Sequence, residues 1–250
     1  IEGLYTNIEV DTQTLYVRLI DDLNNCVSST SLDLIVNPLP EIITPTPLEE
    51  CDDDYDGIVS FFDLSQKTEE ILNGQTGISV SYYETLENAE SSENPIEGLY
   101  TNIEVDTQTL YVRLEVDETG CYATTTQELI VNPIPTVLIG PAYEVCDDDY
   151  DGIGSYNLST LDETLLDGQT GVSISYYESQ EDADNATNVL DVNYQNTITD
   201  TQTLYVRLEV DETGCYATTT QELIVNPIPT VLIGPAYEVC DDDYDGIGSY

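Results

Sequence analysis

Three times the chain packs four aspartates into five positions between a cysteine and a glycine: Cys51-Asp-Asp-Asp-Tyr-Asp-Gly57, Cys146-Asp-Asp-Asp-Tyr-Asp-Gly152 and Cys240-Asp-Asp-Asp-Tyr-Asp-Gly246. Carboxylates spaced D-x-D-x-D-G crowd hard oxygen donors around one point while the glycine takes the sharp turn, the chemistry of a divalent cation that prefers oxygen. Asp52, Asp54 and Asp56 form the first set, Asp147, Asp149 and Asp151 the second, and Asp241, Asp243 and Asp245 the third. Counting on as in an EF-hand loop adds the Ile58 carbonyl at position seven and Asp63 at position twelve. The second loop is one residue shorter, which puts Asn157 in the place of Asp63. Glu118 and Glu144 are further candidate ligands. No helical period flanks the loops, so this is not an EF-hand domain but an acidic loop set before a strand. Left bare, such carboxylates raise one another's pKa, and a structural Ca2+ removes that penalty. A solvated acidic turn is the plain alternative.

The second chemical signal is six cysteines, two positions per repeat: Cys26, Cys51, Cys121, Cys146, Cys215 and Cys240. Without histidine or C-x-x-C, zinc is a poor fit, and disulfides in an oxidising compartment are the expectation. Two schemes respect the period. One pairs within a domain, Cys51 with Cys121 and Cys146 with Cys215. The other crosses the joint, Cys26 with Cys51, Cys121 with Cys146 and Cys215 with Cys240. A closing strand of about ten residues at ~3.4 Å each carries the chain roughly 30 Å from Cys121 before the joint. A disulfide needs Cα atoms within about 7 Å, which favours the within-domain scheme. That bond would close a loop of roughly 70 residues, worth on the order of 4 kcal/mol in the chain-entropy estimate.

Catalytic constellations are missing. There is no histidine, the basic residues number four against fifty acidic ones, and Arg18, Arg113 and Arg207 recur at one strand position as expected surface cross-strand partners of carboxylates. No phosphate-binding glycine loop or nucleophile elbow is present, so the expectation is a protein that is not an enzyme. A formal charge of -46 excludes a phosphate-tracking surface and hence nucleic acid. No run of 18 apolar residues is available for membrane insertion. The 40 % hydrophobic content and nineteen tyrosines argue for folded domains over acidic disorder.

The elements that must position these groups repeat with a period of 95 and then 94 residues. Asp106 to Asn132 recurs unchanged as Asp200 to Asn226, and Ile134 to Tyr156 as Ile228 to Tyr250. The reading is a C-terminal part of a repeat over 1–38, complete repeats over 39–133 and 134–227, and an N-terminal part over 228–250. Because Ile1 to Val10 matches Ile96 to Val105 inside a repeat, the expectation is a window on a longer protein. In Thr14 to Ile20, Leu15, Val17 and Leu19 alternate with Tyr16 and Arg18, the period of a strand with one buried face. A turn and a second strand, Cys26 to Val36, follow. N-P-x-P at Asn37, Asn132 and Asn226 stops each sheet and stiffens the joint. Within the complete repeat Ile58–Leu64, Ile78–Tyr82, Leu110–Leu114 and Cys121–Val131 read as strands, and Glu84–Pro95 as a long loop. Short strands with turn signals every ten residues or so predict an all-β antiparallel sandwich, and end-to-end joints predict an elongated array.

The motif order carries a resemblance. Cys-Asp-x-Asp-x-Asp-Gly, Leu72-Asn-Gly-Gln-Thr-Gly-Ile-Ser-Val-Ser-Tyr-Tyr-Glu84, Gln108-Thr-Leu-Tyr-Val-Arg-Leu114, Thr119-Gly-Cys121 and Leu129-Ile-Val-Asn-Pro-Ile-Pro135 resemble the immunoglobulin-like tandem repeats of very large cell-surface adhesins of gliding Bacteroidetes. Those adhesins leave the cell through the type IX secretion system by a separate C-terminal domain. The resemblance implies tandem immunoglobulin-like domains in an extracellular, surface-attached filament. Its partners would be neighbouring repeats and surface glycans or other cells. A different reading is a subunit of a polymeric surface fibre assembled by strand exchange between chains.

Overall fold

The computed structural model describes residues 3–59, 61–240 and 246. The chain divides into two units, Ile1–Ile134 and Pro135–Tyr250. The first unit begins with an antiparallel hairpin of β1 (Thr12–Ile20) and β2 (Val27–Ile35), in register from Thr12 opposite Ile35 to Ile20 opposite Val27.

The first complete repeat follows as β3 (Leu48–Cys51), a 3-10 turn (Leu64–Lys67), α1 (Thr68–Leu72), β4 (Ile78–Tyr83), α2 (Leu86–Ser91), β5 (Thr107–Val116) and β6 (Tyr122–Asn132). Its sheet has the order β3-β6-β5-β4, and β3 runs parallel to β6 while the other pairs are antiparallel. The second unit repeats this plan with β7 (Tyr143–Cys146), β8 (Ser155–Asn157), a 3-10 turn (Leu158–Thr160), α3 (Asp162–Leu166), β9 (Val172–Tyr177), α4 (Gln180–Asn185), β10 (Asn193–Gln195), β11 (Thr201–Val210) and β12 (Tyr216–Asn226). Its main sheet is β7-β12-β11-β9, again with a parallel edge pair, and β8 and β10 form a separate ribbon. In the first repeat that ribbon is reduced to one bridge, Phe62 opposite Tyr100.

Alternation builds these sheets as expected at β4, β5 and β6. Leu110, Val112 and Leu114 are fully buried on one face with Leu129, Val131, Phe62, Leu64 and the α1 residue Ile71. The corresponding core of the second unit gathers Leu204, Val206, Leu208, Leu223, Tyr156, Leu158 and Leu165.

The expected all-β array of immunoglobulin-like antiparallel sandwiches is not what forms. Each complete repeat has one four-stranded mixed sheet with a parallel edge strand and two short helices, and the second adds the two-stranded β8–β10 ribbon. The helices have five or six residues, too few to print a 3.6-residue period on the sequence. Their signals are at the ends. The Thr85 hydroxyl accepts from the Asn88 N–H at 3.2 Å and the Ser179 hydroxyl from the Asp182 N–H at 3.1 Å, the side-chain capping of a helix N-terminus. Asn73, Ser92, Asp167 and Ala186 close the helices in the left-handed conformation. Glu84–Pro95, expected as a loop, therefore carries α2, and Ile58–Leu64, expected as a strand, contributes the isolated bridge at Phe62.

Helix α2 also changes the sheet's second face. It packs on β4 and β5, where Tyr83, Ala89 and Arg113 are buried. Both faces of β5 are thus covered, one by the apolar core and one by this helix.

Candidate functional site

The acidic loop is built around its first aspartate. Asp52 is 7 % exposed, and its two carboxylate oxygens accept from the backbone N–H groups of Asp54 (3.1 Å), Tyr55 (3.1 Å) and Gly57 (3.0 Å). Asp147 does the same for Asp149, Tyr150 and Gly152 at 3.2, 2.9 and 3.0 Å. Burial works to raise the Asp52 carboxyl, but the N–H groups of Asp54, Gly57, Tyr55 and Asp53 outweigh it and hold it below the ordinary carboxylate value. Asp147 is held down in the same way. Asp54 behaves oppositely. Desolvation, then the neighbouring charge of Asp56, push its carboxyl up, and Asp149 beside Asp151 is raised likewise.

Carboxylate oxygens of Asp52, Asp53 and Asp54 lie within 4.8 Å of one another, as do those of Asp147, Asp149 and Asp151. In the second loop the alternating triad comes together as its spacing suggests. In the first the grouped residue is Asp53 in place of Asp56, although the last aspartate of both loops accepts from the N–H two residues on, Asp56 from Ile58 and Asp151 from Ile153, each at 2.7 Å. The donor set is all carboxylate, which suits a hard divalent cation. Asp63 and Asn157 stand elsewhere. The Asp63 carboxylate accepts from the backbone and hydroxyl of Ser65, and Asn157 Oδ1 accepts from the Ser159 hydroxyl at 2.7 Å, so both organise the 3-10 turn. Glu144 accepts from the Asn226 amide at 2.8 Å, and Glu118 lies exposed on the hairpin turn. Asp241, Asp243 and Asp245 lie outside the described residues.

The loop is held from behind by residues that sequence reading passed over. Asn102 is buried, accepts from the Val59 N–H at 2.8 Å and donates to the carbonyls of Gly57 (2.9 Å) and Glu104 (2.8 Å). Asn196 makes the same three bonds to Gly154, Gly152 and Ile198. Gly57 has φ +75°, and a Cβ there would stand 2.6 Å from Asp106 Oδ1 and from Val105 Cγ1. Only glycine fits this approach. The available signal was the recurrence Y-x-N-x-x-x-D-x-Q at Tyr5, Tyr100 and Tyr194.

Arg113 and Arg207 are likewise not surface residues, whereas Arg18 on the β1–β2 hairpin is exposed as expected. Arg113 is 7 % exposed and donates to the last-turn carbonyls of Ala89 (2.9 Å) and Glu90 (3.1 Å) in α2. It also meets the Glu115 carboxylate at 2.7 Å and lies 3.4 Å over the Tyr122 ring. Arg207 repeats this with Ala183, Asp184, Glu209 and Tyr216. A cation at a helix C-terminus is favoured by the aligned peptide dipoles.

Cys51 and Cys215 are disulfide-bonded, whereas Cys26, Cys121, Cys146 and Cys240 are free thiols. Neither sequence-derived scheme describes this, because both engage Cys121 and Cys146. The sheet register shows why a bond within the repeat fails. Cys51 stands opposite Asn132 at the end of β6, while Cys121 precedes Tyr122 at its start. Eleven residues of strand separate those ends by roughly 35 Å, far beyond disulfide reach. Cys146 opposite Asn226 and Cys215 before Tyr216 have the same relation along β12.

Among solved structures, the chain is similar to an endo-fucoidan hydrolase from glycoside hydrolase family 107 (14 % identity, TM-score 0.20, covering 90 % of this chain and 35 % of that one). It is also similar to a SusE-like surface-located polysaccharide-binding protein from the Bacteroides thetaiotaomicron heparin utilisation locus (11 %, 0.29, 86 % and 43 %) and to Drosophila N-cadherin EC1-4 (11 %, 0.21, 86 % and 59 %). The chain thus spans between about a third and three fifths of those chains, and overlaps of this quality carry no functional argument. No curated protein sequence matches it. No helix among the described residues is long and apolar enough to cross a membrane. Residues 47–135 and 142–229 each match the model of one domain family, and the chain belongs to that family, the Flavobacterium inter-domain disulphide bond domain.

Proposed function

We propose that the chain is a non-catalytic structural segment of an extracellular bacterial surface protein, stabilised by disulfide bonds. The observation that carries this reading is the state of the cysteines. Cys51 and Cys215 are disulfide-bonded and the other four are free, in a chain that belongs to a disulfide-bonded domain family. Oxidised cysteines belong outside the reducing cytoplasm. The resemblance to adhesin repeats extends the reading to the stalk of a surface filament exported by type IX secretion and serving gliding and adhesion. The acidic loops, preformed by Asp52 and Asp147, take Ca2+ as a structural ion.

Non-reducing peptide mapping of the oxidised protein tests the reading. Cys51 and Cys215 are expected only in disulfide-linked peptides, with Cys26, Cys121, Cys146 and Cys240 recovered as free thiols. Cys51 and Cys215 recovered as free thiols would overturn it.

A second reading, a fibre subunit built by strand exchange, is favoured by one observation. The β1–β2 hairpin leaves Leu19 73 % and Leu32 53 % exposed, while the matching Leu114 and Gln127 positions of β5 and β6 are fully buried. Concentration-dependent oligomers that persist under reduction would support it, and a monomer at all concentrations would exclude it.

A further inference from the structure

Both complete repeats seat a short head strand on the closing strand of their hairpin in one parallel register. Tyr143 to Cys146 in β7 stand opposite Leu223 to Asn226 in β12, as Leu48 to Cys51 in β3 stand opposite Leu129 to Asn132 in β6. Asn226 locks the pair by donating its amide to the Glu144 carboxylate at 2.8 Å, and Asn132 does so to Glu49 at 2.9 Å. With the head strand in place, Val225 and Val131 are buried. The β1–β2 hairpin ends in the same four residues, Leu34-Ile-Val-Asn37, but it forms a two-stranded sheet, and Val36 is 52 % exposed.

A matching head is also present. Ile228 to Cys240 repeats Ile134 to Cys146 letter for letter, yet residues 231–240 belong to no strand. Val137, Tyr143 and Val145 pack on the core of the second unit, whereas their counterparts Val231, Tyr237 and Val239 are exposed, Val231 by 82 %. A Cβ at Gly140 would stand 2.7 Å from Gln221 Oε1, whereas one at Gly234 meets nothing within 4 Å.

We infer, building on the fibre-subunit reading above, that residues 228–240 of one copy of this chain dock on the β1–β2 hairpin of a second copy as an added edge strand. Carried over from β7 and β12, the register sets Tyr237 opposite Leu34, Glu238 opposite Ile35, Val239 opposite Val36 and Cys240 opposite Asn37. Asn37 and Glu238 keep the amide–carboxylate lock, and Val239 comes beside Val36 on the face that is buried in the complete repeats. Backbone ladder bonds supply the affinity and the alternate side chains supply the register. The open edge of β2 is closed in the process, as exposed strand edges generally are. One position differs. Leu32 replaces Gln127 and Gln221, whose amides donate to the carbonyls of Thr46 and Pro141 while their Oε1 atoms are buried without a partner. Docking there exchanges one hydrogen bond for the burial of an apolar side chain. Each copy offers one head and one hairpin, so the contact is heterologous and joins copies in reciprocal dimers, rings or open filaments.

Analytical ultracentrifugation of the 250-residue chain over a wide range of concentration tests this, in salt of physiological strength so that the repulsion between chains of formal charge -46 is screened. Cys26→Ser and Cys240→Ser, at two exposed free thiols, keep chance oxidation from mimicking the pairing. The expected result is a population of oligomers that grows with concentration. Val239→Pro is expected to abolish it, because proline supplies no ladder donor, and residue 239 lies in no strand, so both units stay folded. An excess of a synthetic peptide of residues 228–240 carrying Cys240→Ser should dissolve the oligomers by occupying the hairpin. Oligomers that withstand either treatment would overturn the docking and leave the fibre-subunit reading standing. A monomer at every concentration would overturn both.

Discussion

The amide nitrogen of Gln108 donates to the Tyr100 hydroxyl at 2.7 Å, and its carbonyl accepts from the Ile103 N–H at 2.7 Å. The same latch joins Gln202 to Tyr194 at 2.7 Å and Gln13 to Tyr5 at 2.9 Å. It fixes the turn whose far side holds Gly57 through Asn102. Gln108→Ala leaves the Ile103 N–H without a partner and the Tyr100 hydroxyl with only the Glu84 carboxylate, and is expected to destabilise the first repeat by about 2 kcal/mol. Urea denaturation of the variant measures it, and a loss below about 0.5 kcal/mol would show that the latch is dispensable.

Tyr156 is 2 % exposed, and its hydroxyl is buried without a hydrogen-bond partner. Phe62, opposite Tyr100 as Tyr156 is opposite Tyr194, fills the equivalent place in the first repeat. Tyr156→Phe removes an unsatisfied polar group at nearly constant shape. The expected result is a gain of about 1 kcal/mol in the second unit, visible as a higher melting temperature; a lower one would point to a partner for the hydroxyl.

Arg113 joins α2 to β5, so its removal should cost more than a surface ion pair does. Arg113→Ala is expected to lose about 3 kcal/mol, because the last carbonyls of α2 and the Glu115 carboxylate lose one shared buried partner. Arg113→Lys should restore less than half, since an ammonium cannot present the planar fork to both groups. Chemical denaturation of the two variants distinguishes this from an exposed pair, for which both changes would be nearly silent.

The two sheet-facing helices should part company in acid. Hydrogen bonds from Ser179, Asn188 and Thr187 hold the Asp182 carboxyl below its ordinary value. A depressed acid contributes stability that is complete above its unfolded pKa, near 3.9, and is lost as pH falls through the lower folded value. The first repeat has the non-titrating Asn88 at this position. Amide exchange between pH 4 and pH 2 should therefore show α4 loosening before α2, and Asp182→Asn should abolish the difference.

If the acidic loops hold Ca2+, the ion binds the folded form only and stabilises it by mass action. Calorimetric melts with calcium and with chelator are expected to differ by several degrees, and Asp147→Asn with Asp149→Asn should remove the effect from the second unit. Superimposable melts would make the loops plain acidic turns.

Local patterning was enough to read the duplicated repeats, the paired strands β5 and β6 and the turn glycine of each acidic loop. Each of these rests on neighbours in sequence: alternation marks a half-buried strand, and a glycine marks φ above zero where a side chain would collide. Long-range pairing decided the rest. β3 is four residues long, and nothing within Leu48-Glu-Glu-Cys51 says that it joins β6 in parallel. That register sends Cys51 to the end of the sheet opposite Cys121, which the count of cysteines alone could not reveal. Arg113 sits on the polar phase of an alternating strand and so reads as exposed, and only the return of α2 across β5 buries it. Asp52 looks like one carboxylate among four until the fold turns three backbone N–H groups onto it and makes it the centre of its loop.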